Sequence, residues 1–303
     1  MNKPALAVEL QPLLQGSVRV NESMALHTTW RIGGPADLFV DPVGREDIRQ
    51  AVEFARSKEL PVTVIGNGSN LLVKDGGIRG MVIKVGRGLA YITVDGTLIR
   101  AGAGLTLPEL AAAARRAGLG GFEFAAGIPG SLGGALVMNA GAINGCTADV
   151  LQSAVVLDHQ NRFITLPKEE FGFAYRTSNL QKTGTICVET CWQGIPRDPA
   201  VIEQEIREYL SRRKALQPQG FPNVGSIFKN PPGDSAGRLI EAAGGKGLKV
   251  GGAEVSYKHA NWILNVGNAT ARDVLTLIEQ VKKLVMDRFG ILLHLEVRVL
   301  GED

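Results

Sequence analysis

Cysteine is scarce in this chain of 303 residues: Cys146, Cys187 and Cys191 are all there are. An odd count without zinc-finger spacing argues against a disulfide framework, and no second pair exists to complete a four-ligand zinc site, so no metal is expected. Cys187 and Cys191 alternate with Ile186, Val188 and Trp192. That stretch reads as a strand, its thiols as reduced core groups of a cytoplasmic protein. Long apolar runs are also missing. No window holds 18 consecutive apolar residues, so no membrane span is expected. Residues 4–14 are interrupted by Glu9, Gln11 and Pro12 and offer no small-residue cleavage site, which argues against a secretory signal. Nor does one charge dominate: 33 Lys+Arg face 30 Asp+Glu, a formal net charge of +3. The one dense basic cluster, Arg212-Arg213-Lys214, has no aromatics interleaved, so no nucleic-acid partner is expected. No repeat of 20–50 residues is visible.

Glycine is present in excess, 38 residues or about one in eight, against roughly 7% in average usage. There is no Gly-X-Y period, and 45% of the chain is hydrophobic, so neither collagen nor disorder fits. The glycines must serve tight turns or close approach to a ligand.

Periodicity divides the chain into three units. A helix and lead-in over 1–22 precede a small α/β unit: strand 37–40, helix 46–58, strand 61–65, strand 71–73 and strand 81–85. The second unit has strands 91–94 and 98–101 and a helix over 107–117, with a capping box of Thr106 and Glu109 and a stop at Gly118. A run with nine glycines in 28 residues, 118–145, follows, and then strands 153–158, 162–166 and 185–192. The third unit opens with a helix over 200–214, with Ile202, Ile206 and Leu210 on one face. A helix near 236–243, a strand over 262–265, a helix over 271–289 capped by Thr270 and Asp273, and a strand over 292–300 complete it.

Five motifs are candidates for chemistry. Gly66-Asn67-Gly68-Ser69-Asn70 follows a strand but has Leu71 where a dinucleotide fingerprint needs glycine, and it lacks the Lys of a P-loop. It is either a plain turn or an anion nest of backbone N–H groups. Gly127-Ile128-Pro129-Gly130-Ser131-Leu132-Gly133-Gly134 continues to Asn139-Ala140-Gly141. So long a run of small residues favours a cofactor cleft over a packed turn. Tyr175-Arg176-Thr177-Ser178 offers an Arg suited to a carboxylate, or a solvated surface charge. Ser226, Lys229 and Asn230 sit in a loop between Gly225 and Pro231, without the pattern of a nucleophile elbow. In the last strand Leu295, Val297 and Val299 share one face and His294, Glu296 and Arg298 the other, which by itself describes a half-exposed strand.

Together these segments, with Thr28-Thr29-Trp30-Arg31-Ile32-Gly33-Gly34 and His259-Ala260-Asn261-Trp262, resemble the UDP-N-acetylenolpyruvoylglucosamine reductase family of peptidoglycan synthesis, in the family's order and across nearly the whole chain. The resemblance implies an α+β protein. Its expected parts are a FAD-binding fold of the vanillyl-alcohol-oxidase type over 23–198, in subdomains of about 23–90 and 91–198, and a C-terminal α/β substrate domain over 199–303. Only 50 positions separate Arg176 from Ser226, which resembles the shorter class without an inserted Tyr-bearing loop. The implied reaction is reduction of UDP-N-acetylglucosamine enolpyruvate by NADPH through FAD, with hydride leaving the flavin N5, in the cytoplasm and without an obligate protein partner. Carried over by match, Arg176 and Glu296 stabilise the enolate and Ser226 gives the proton. Gly66–Asn70, Gly127–Ser131, Gly133, Gly134 and Asn139–Gly141 hold the cofactor. Tyr175, Lys214, Lys229 and Asn230 meet the substrate. The alternatives are an alcohol or lactone oxidase of the same superfamily and a non-enzymatic sugar-nucleotide binder.

Overall fold

Local signals in the sequence set the ends of several helices. In a computed structural model that describes residues 2–142 and 145–303, the helix Leu107–Arg116 begins at a complete capping box of Thr106 and Glu109, and Ala271–Phe289 begins at one formed by Thr270 and Asp273. Each box satisfies two of the helix's otherwise orphaned N–H groups. Asp75 adds to the second start: its carboxylate accepts from the Ala271 and Arg272 N–H groups at 2.8 and 3.0 Å. The glycine-rich run crosses Ile143 and Asn144, and the lead-in begins at Met1; all three lie outside the described residues.

The chain forms two compact units that alternate along the sequence. The first takes residues 1–20, 38–67 and 80–213 and the second takes 21–37, 68–79 and 214–303. In the first, a five-stranded antiparallel sheet runs in the order Phe163–Pro167, Leu151–Leu157, Ile186–Gln193, Leu98–Gly102, Ile92–Asp95. A four-stranded sheet has the order Ser17–Ser23, Pro35–Asp41, Ile78–Lys84, Val62–Ile65, and its last two strands are parallel. Leu38, Val40, Ile48, Met81, Leu110, Leu136 and Trp192 belong to one continuous core.

The second unit has its own core, with Trp30, Leu72, Phe228, Leu277 and Ile278 among its members. The helix Ala271–Phe289 buries Val274, Leu277, Ile278, Val281 and Val285, a stripe at helical spacing. A three-stranded sheet, Lys249–Val250, Ala253–Val255 and Ile263–Asn265, lies in this unit, as does a parallel pair of Leu71–Val73 with Arg298–Leu300.

Three expectations need correction. The lead-in contains a strand, Ser17–Ser23, whose mostly polar sequence gives little apolar alternation. The helix Pro199–Leu216 buries Ile202, but Leu210 is exposed, so the proposed apolar face is not a core face throughout. The expected strand 292–300 is a strand only over Arg298–Leu300. The residues before it give their hydrogen bonds to the loop around Ile227 instead of to a neighbouring strand.

Candidate active site

The two glycine-rich motifs meet in the first unit. Gly66 lies against Ser131 so closely that a Cβ there would overlap the Ser131 hydroxyl. The Asn67 Nδ2 donates to the Pro129 carbonyl at 3.2 Å. Ser131 is buried and its Oγ accepts from the Gly134 N–H, which starts the helix Leu132–Met138. Among the described residues, the backbone N–H groups of Gly66, Asn67, Gly130 and Ser131 have no acceptor. Backbone donors gathered in this way suit an anionic oxygen cluster such as a diphosphate. Outside its own helix and chain neighbours, a Cβ added to Gly134 would meet only the Ser131 Oγ, 3.2 Å away, among the described residues. The cradle therefore fits FAD's diphosphate in donor chemistry.

Other residues read as cofactor contacts have work inside the protein. Gly127 packs under Tyr209 and Arg213, and Gly133 donates to the Ala103 carbonyl. Ile128 is half-buried and its N–H is used on Ala125. Ala140 accepts from the Thr147 N–H, and Gly141 pairs with Cys146 across two short antiparallel strands. In the second unit, Gly68 has a φ of +65°, and a Cβ there would overlap the His27 carbonyl. Ser69 is half-buried. Asn70 donates from Nδ2 to the Glu296 carbonyl at 3.0 Å and accepts from the Arg298 N–H.

Arg176 stands at the tip of a two-residue turn closed by Ala174 and Thr177, which exchange both backbone hydrogen bonds. Its φ is +56°, uncommon outside glycine. The turn is tied down from three sides. Asn139 Nδ2 donates to the Ala174 carbonyl at 3.1 Å, Ser178 Oγ donates to Val137 O, and Gln181 Nε2 donates to Val137 O and Arg176 O. Asn139 is itself a left-handed helix cap, its Oδ1 taken by the Ala148 N–H. Tyr175 is exposed, with the Arg176 guanidinium 5.1 Å from its ring centre. The backbone restraint fixes where a cation is presented.

Ser226 and Glu296 are brought together in the second unit. Glu296 N donates to the Ile227 carbonyl at 2.8 Å, and Lys229 N donates to the His294 carbonyl at 2.9 Å. The Ser226 hydroxyl has no hydrogen-bond partner among the described residues. Lys229 is half-buried beside it in sequence. Asn230 is exposed, and its Oδ1 caps Ala236 at the start of the helix Ala236–Ala242. Lys214 is exposed, and its carbonyl receives Lys258 Nζ.

The buried Asn261 takes both polar groups of the Phe228 main chain, a use that sequence reading left open. Its own N–H reaches His259 Nδ1, and burial holds that imidazole below the usual histidine range, in the neutral form that can accept. Gln181, the anchor of Arg176, carried no signal: it lies in a one-turn helix, Leu180–Thr183, next to a motif read for its charge. Among the described residues, no group of His, Cys, Asp and Glu could hold a metal ion, and no helix is long and apolar enough to cross a membrane.

Two family models match the chain. One is described as an FAD binding domain and spans residues 36–166, a stretch that includes the Gly66–Ser131 cradle. The other, UDP-N-acetylenolpyruvoylglucosamine reductase, C-terminal domain, spans 217–300 and includes Ser226 and Glu296. The chain is 70% identical over 299 residues to the UDP-N-acetylenolpyruvoylglucosamine reductase of Desulforamulus reducens, covering 99% of each chain. It is 49% identical over 302 residues to that of Moorella thermoacetica, covering 100% of this chain and 99% of the relative. Among solved structures, the UDP-N-acetylenolpyruvylglucosamine reductase of Thermus caldophilus matches with a TM-score of 0.82 at 38% identity, over 95% of this chain and 100% of that one.

Proposed function

The chain belongs to the UDP-N-acetylenolpyruvoylglucosamine reductase family, and from that membership we propose that it reduces UDP-N-acetylglucosamine enolpyruvate to UDP-N-acetylmuramate with NADPH and FAD, in the cytoplasm, for peptidoglycan synthesis. The observation that carries this reading is the 70% identity to a reductase of that name over 99% of both chains. In this reading residues 23–198 supply the flavin-binding domain, a vanillyl-alcohol-oxidase-type α+β fold, and 199–303 the substrate domain. The cradle of Gly66, Asn67, Gly130 and Ser131 holds the FAD diphosphate. The chemistry that bound FAD supplies is relay of hydride from NADPH to the terminal carbon of the enolpyruvyl group.

This chain's side chains handle the charge that follows. Hydride arrival leaves an electron pair on the adjacent carbon, delocalised into the carboxylate. Arg176 offers a planar, permanently charged donor pair for that carboxylate, held in place before reaction begins. Ser226, whose hydroxyl has no partner among the described residues, gives its proton to the carbon. A serine is a weak acid, and it suffices because the acceptor is a strong carbon base. Glu296 shares the stabilisation of the enolate, a task that requires its protonated, donating form. Tyr175, Lys214, Lys229 and the Nδ2 of Asn230 bind the substrate. One NADPH is oxidised to NADP+ for each C=C bond reduced, and the second hydrogen comes from solvent by way of Ser226.

Purified protein should be yellow, release flavin on denaturation, and oxidise NADPH steadily only when the enolpyruvyl sugar nucleotide is present. A colourless protein that FAD cannot reconstitute would overturn the reading. So would NADPH oxidation indifferent to that substrate.

A further inference from the structure

The loop that carries Ser226 keeps its shape without a strand of its own. Ile227 N donates to the Asn261 carbonyl at 3.0 Å, and Phe228 N donates to Asn261 Oδ1 at 2.9 Å. Asn261 Nδ2 returns a bond to the Phe228 carbonyl at 2.8 Å. One residue thus takes three of the four polar main-chain groups that follow Ser226. The fourth, the Ile227 carbonyl, accepts from Glu296 N at 2.8 Å and Val297 N at 3.3 Å.

A carboxamide places a donor and an acceptor in one plane and mates with a peptide's N–H and C=O as a neighbouring strand would. Asn261 is 3% exposed, so losing either bond leaves a buried polar group unmatched. Its main chain is held in turn: Asn261 N meets His259 Nδ1 at 3.3 Å, and Trp262 N donates to His259 O at 3.0 Å. The clamp acts on the two residues that join Ser226 to the segment bearing Glu296.

We propose that Asn261 is a positioning residue for the proton-delivery step, fixing the Ser226 hydroxyl and Glu296 in one geometry through the Phe228 peptide. The inference rests on the assignment of Ser226 and Glu296 made above. Asn261 acts through other residues, so its loss should be felt in one half of the reaction. Reduction of the bound flavin by NADPH uses neither Ser226 nor Glu296. Reoxidation by the enolpyruvyl substrate uses both.

The test compares Asn261→Asp and Asn261→Ala, both loaded with FAD, with wild type and Ser226→Ala. Asn261→Asp keeps the size and the acceptor for Phe228 N but loses the donor to Phe228 O. Both variants should be reduced by NADPH at near the wild-type rate. Single-turnover reoxidation should slow by up to about 10²-fold, the scale of a misplacement of about 1 Å. The solvent deuterium isotope effect on reoxidation should rise, and hydrogen exchange at the Phe228 amide should accelerate whatever the activity. Equal slowing of both half-reactions would reduce Asn261 to a fold-stabilising role and overturn the proposal. Unchanged reoxidation in the Asn261 variants, with Ser226→Ala slow, would overturn the proposal alone. Wild-type reoxidation in Ser226→Ala would remove the Ser226 assignment and the proposal with it.

Discussion

The cradle around Gly66 and Ser131 and the loop around Ser226 and Glu296 treat their main chains in opposite ways. In the first, four N–H groups have no acceptor among the described residues. In the second, the main chain of Ile227 and Phe228 is fully matched, while the Ser226 hydroxyl has no partner among the described residues. The contrast suits the roles proposed for the two regions. A diphosphate is recognised by several donors at once, and a matched donor is lost to it. Proton delivery needs one atom in one place, and that precision comes from restraining everything around it. Small residues build the first kind of site and a buried carboxamide the second.

After the loss of the Ser226 hydroxyl, the largest effect expected from breaking this division of labour is at Arg176. Arg176→Lys keeps a positive charge but removes the planar donor pair, and reoxidation by substrate should slow about 10²- to 10³-fold. Flavin reduction by NADPH should be little changed. Stopped-flow absorbance of the two half-reactions checks this, and equal loss in both would place Arg176 outside the enolate's reach.

Next are the glycines of the two units. A side chain at Gly134 meets only the flexible Ser131 Oγ outside its own helix and chain neighbours, so Gly134→Leu should fold and lose FAD. Gly68→Ala instead meets the His27 carbonyl at a positive φ and should lower stability, with flavin bound in proportion to the folded fraction. Flavin-to-protein absorbance ratios together with thermal melts separate the two outcomes. A Gly134→Leu protein that keeps its flavin would return that glycine to a packing role.

The smallest expected effect is one of pH and bears on the first unit. Burial pushes the Cys187 thiol from 9.0 up to about 12, and Tyr91 in the same unit is also raised, first by burial and then by its bond to Glu189. Both groups hold their protons more tightly when folded. The stability Cys187 contributes is therefore complete below about pH 9 and is lost as pH rises toward 12. Urea midpoints measured from pH 8 to 10.5 should fall with pH, and Cys187→Ala should flatten that slope. A slope unchanged by the substitution would show that Cys187 does not carry it.

What the sequence disclosed depended on range. Thr106 with Glu109 and Thr270 with Asp273 are contacts over three residues, and both helices start where those pairs place them. The apolar periods of 46–58 and 271–289 were equally legible because each helix buries one stripe. The alternation of the two units was not legible: residues 68–79 join the C-terminal unit through pairing of Leu71–Val73 with Arg298–Leu300, more than 200 positions away. The segment before Arg298 read as strand from its alternation, yet its partner is a loop, and the doubled bond at Ile227 O breaks the ladder. Arg176, Ser226 and Glu296 are assigned only by resemblance, since nothing local distinguishes them from a surface charge, a turn serine and a strand glutamate. Gly68 and Gly127 were visible as glycines, but that their missing side chains make room for His27 and for Tyr209 with Arg213 needed the fold.

If cofactor holding and proton delivery are built separately, Ser226→Ala should uncouple them. The variant is reduced with NADPH in the absence of oxygen and then mixed with UDP-N-acetylglucosamine enolpyruvate, and the return of oxidised flavin is followed in a single turnover. Flavin content and reduction should be normal, and reoxidation should slow about 10²- to 10⁴-fold. Reoxidation at the wild-type rate would contradict that separation.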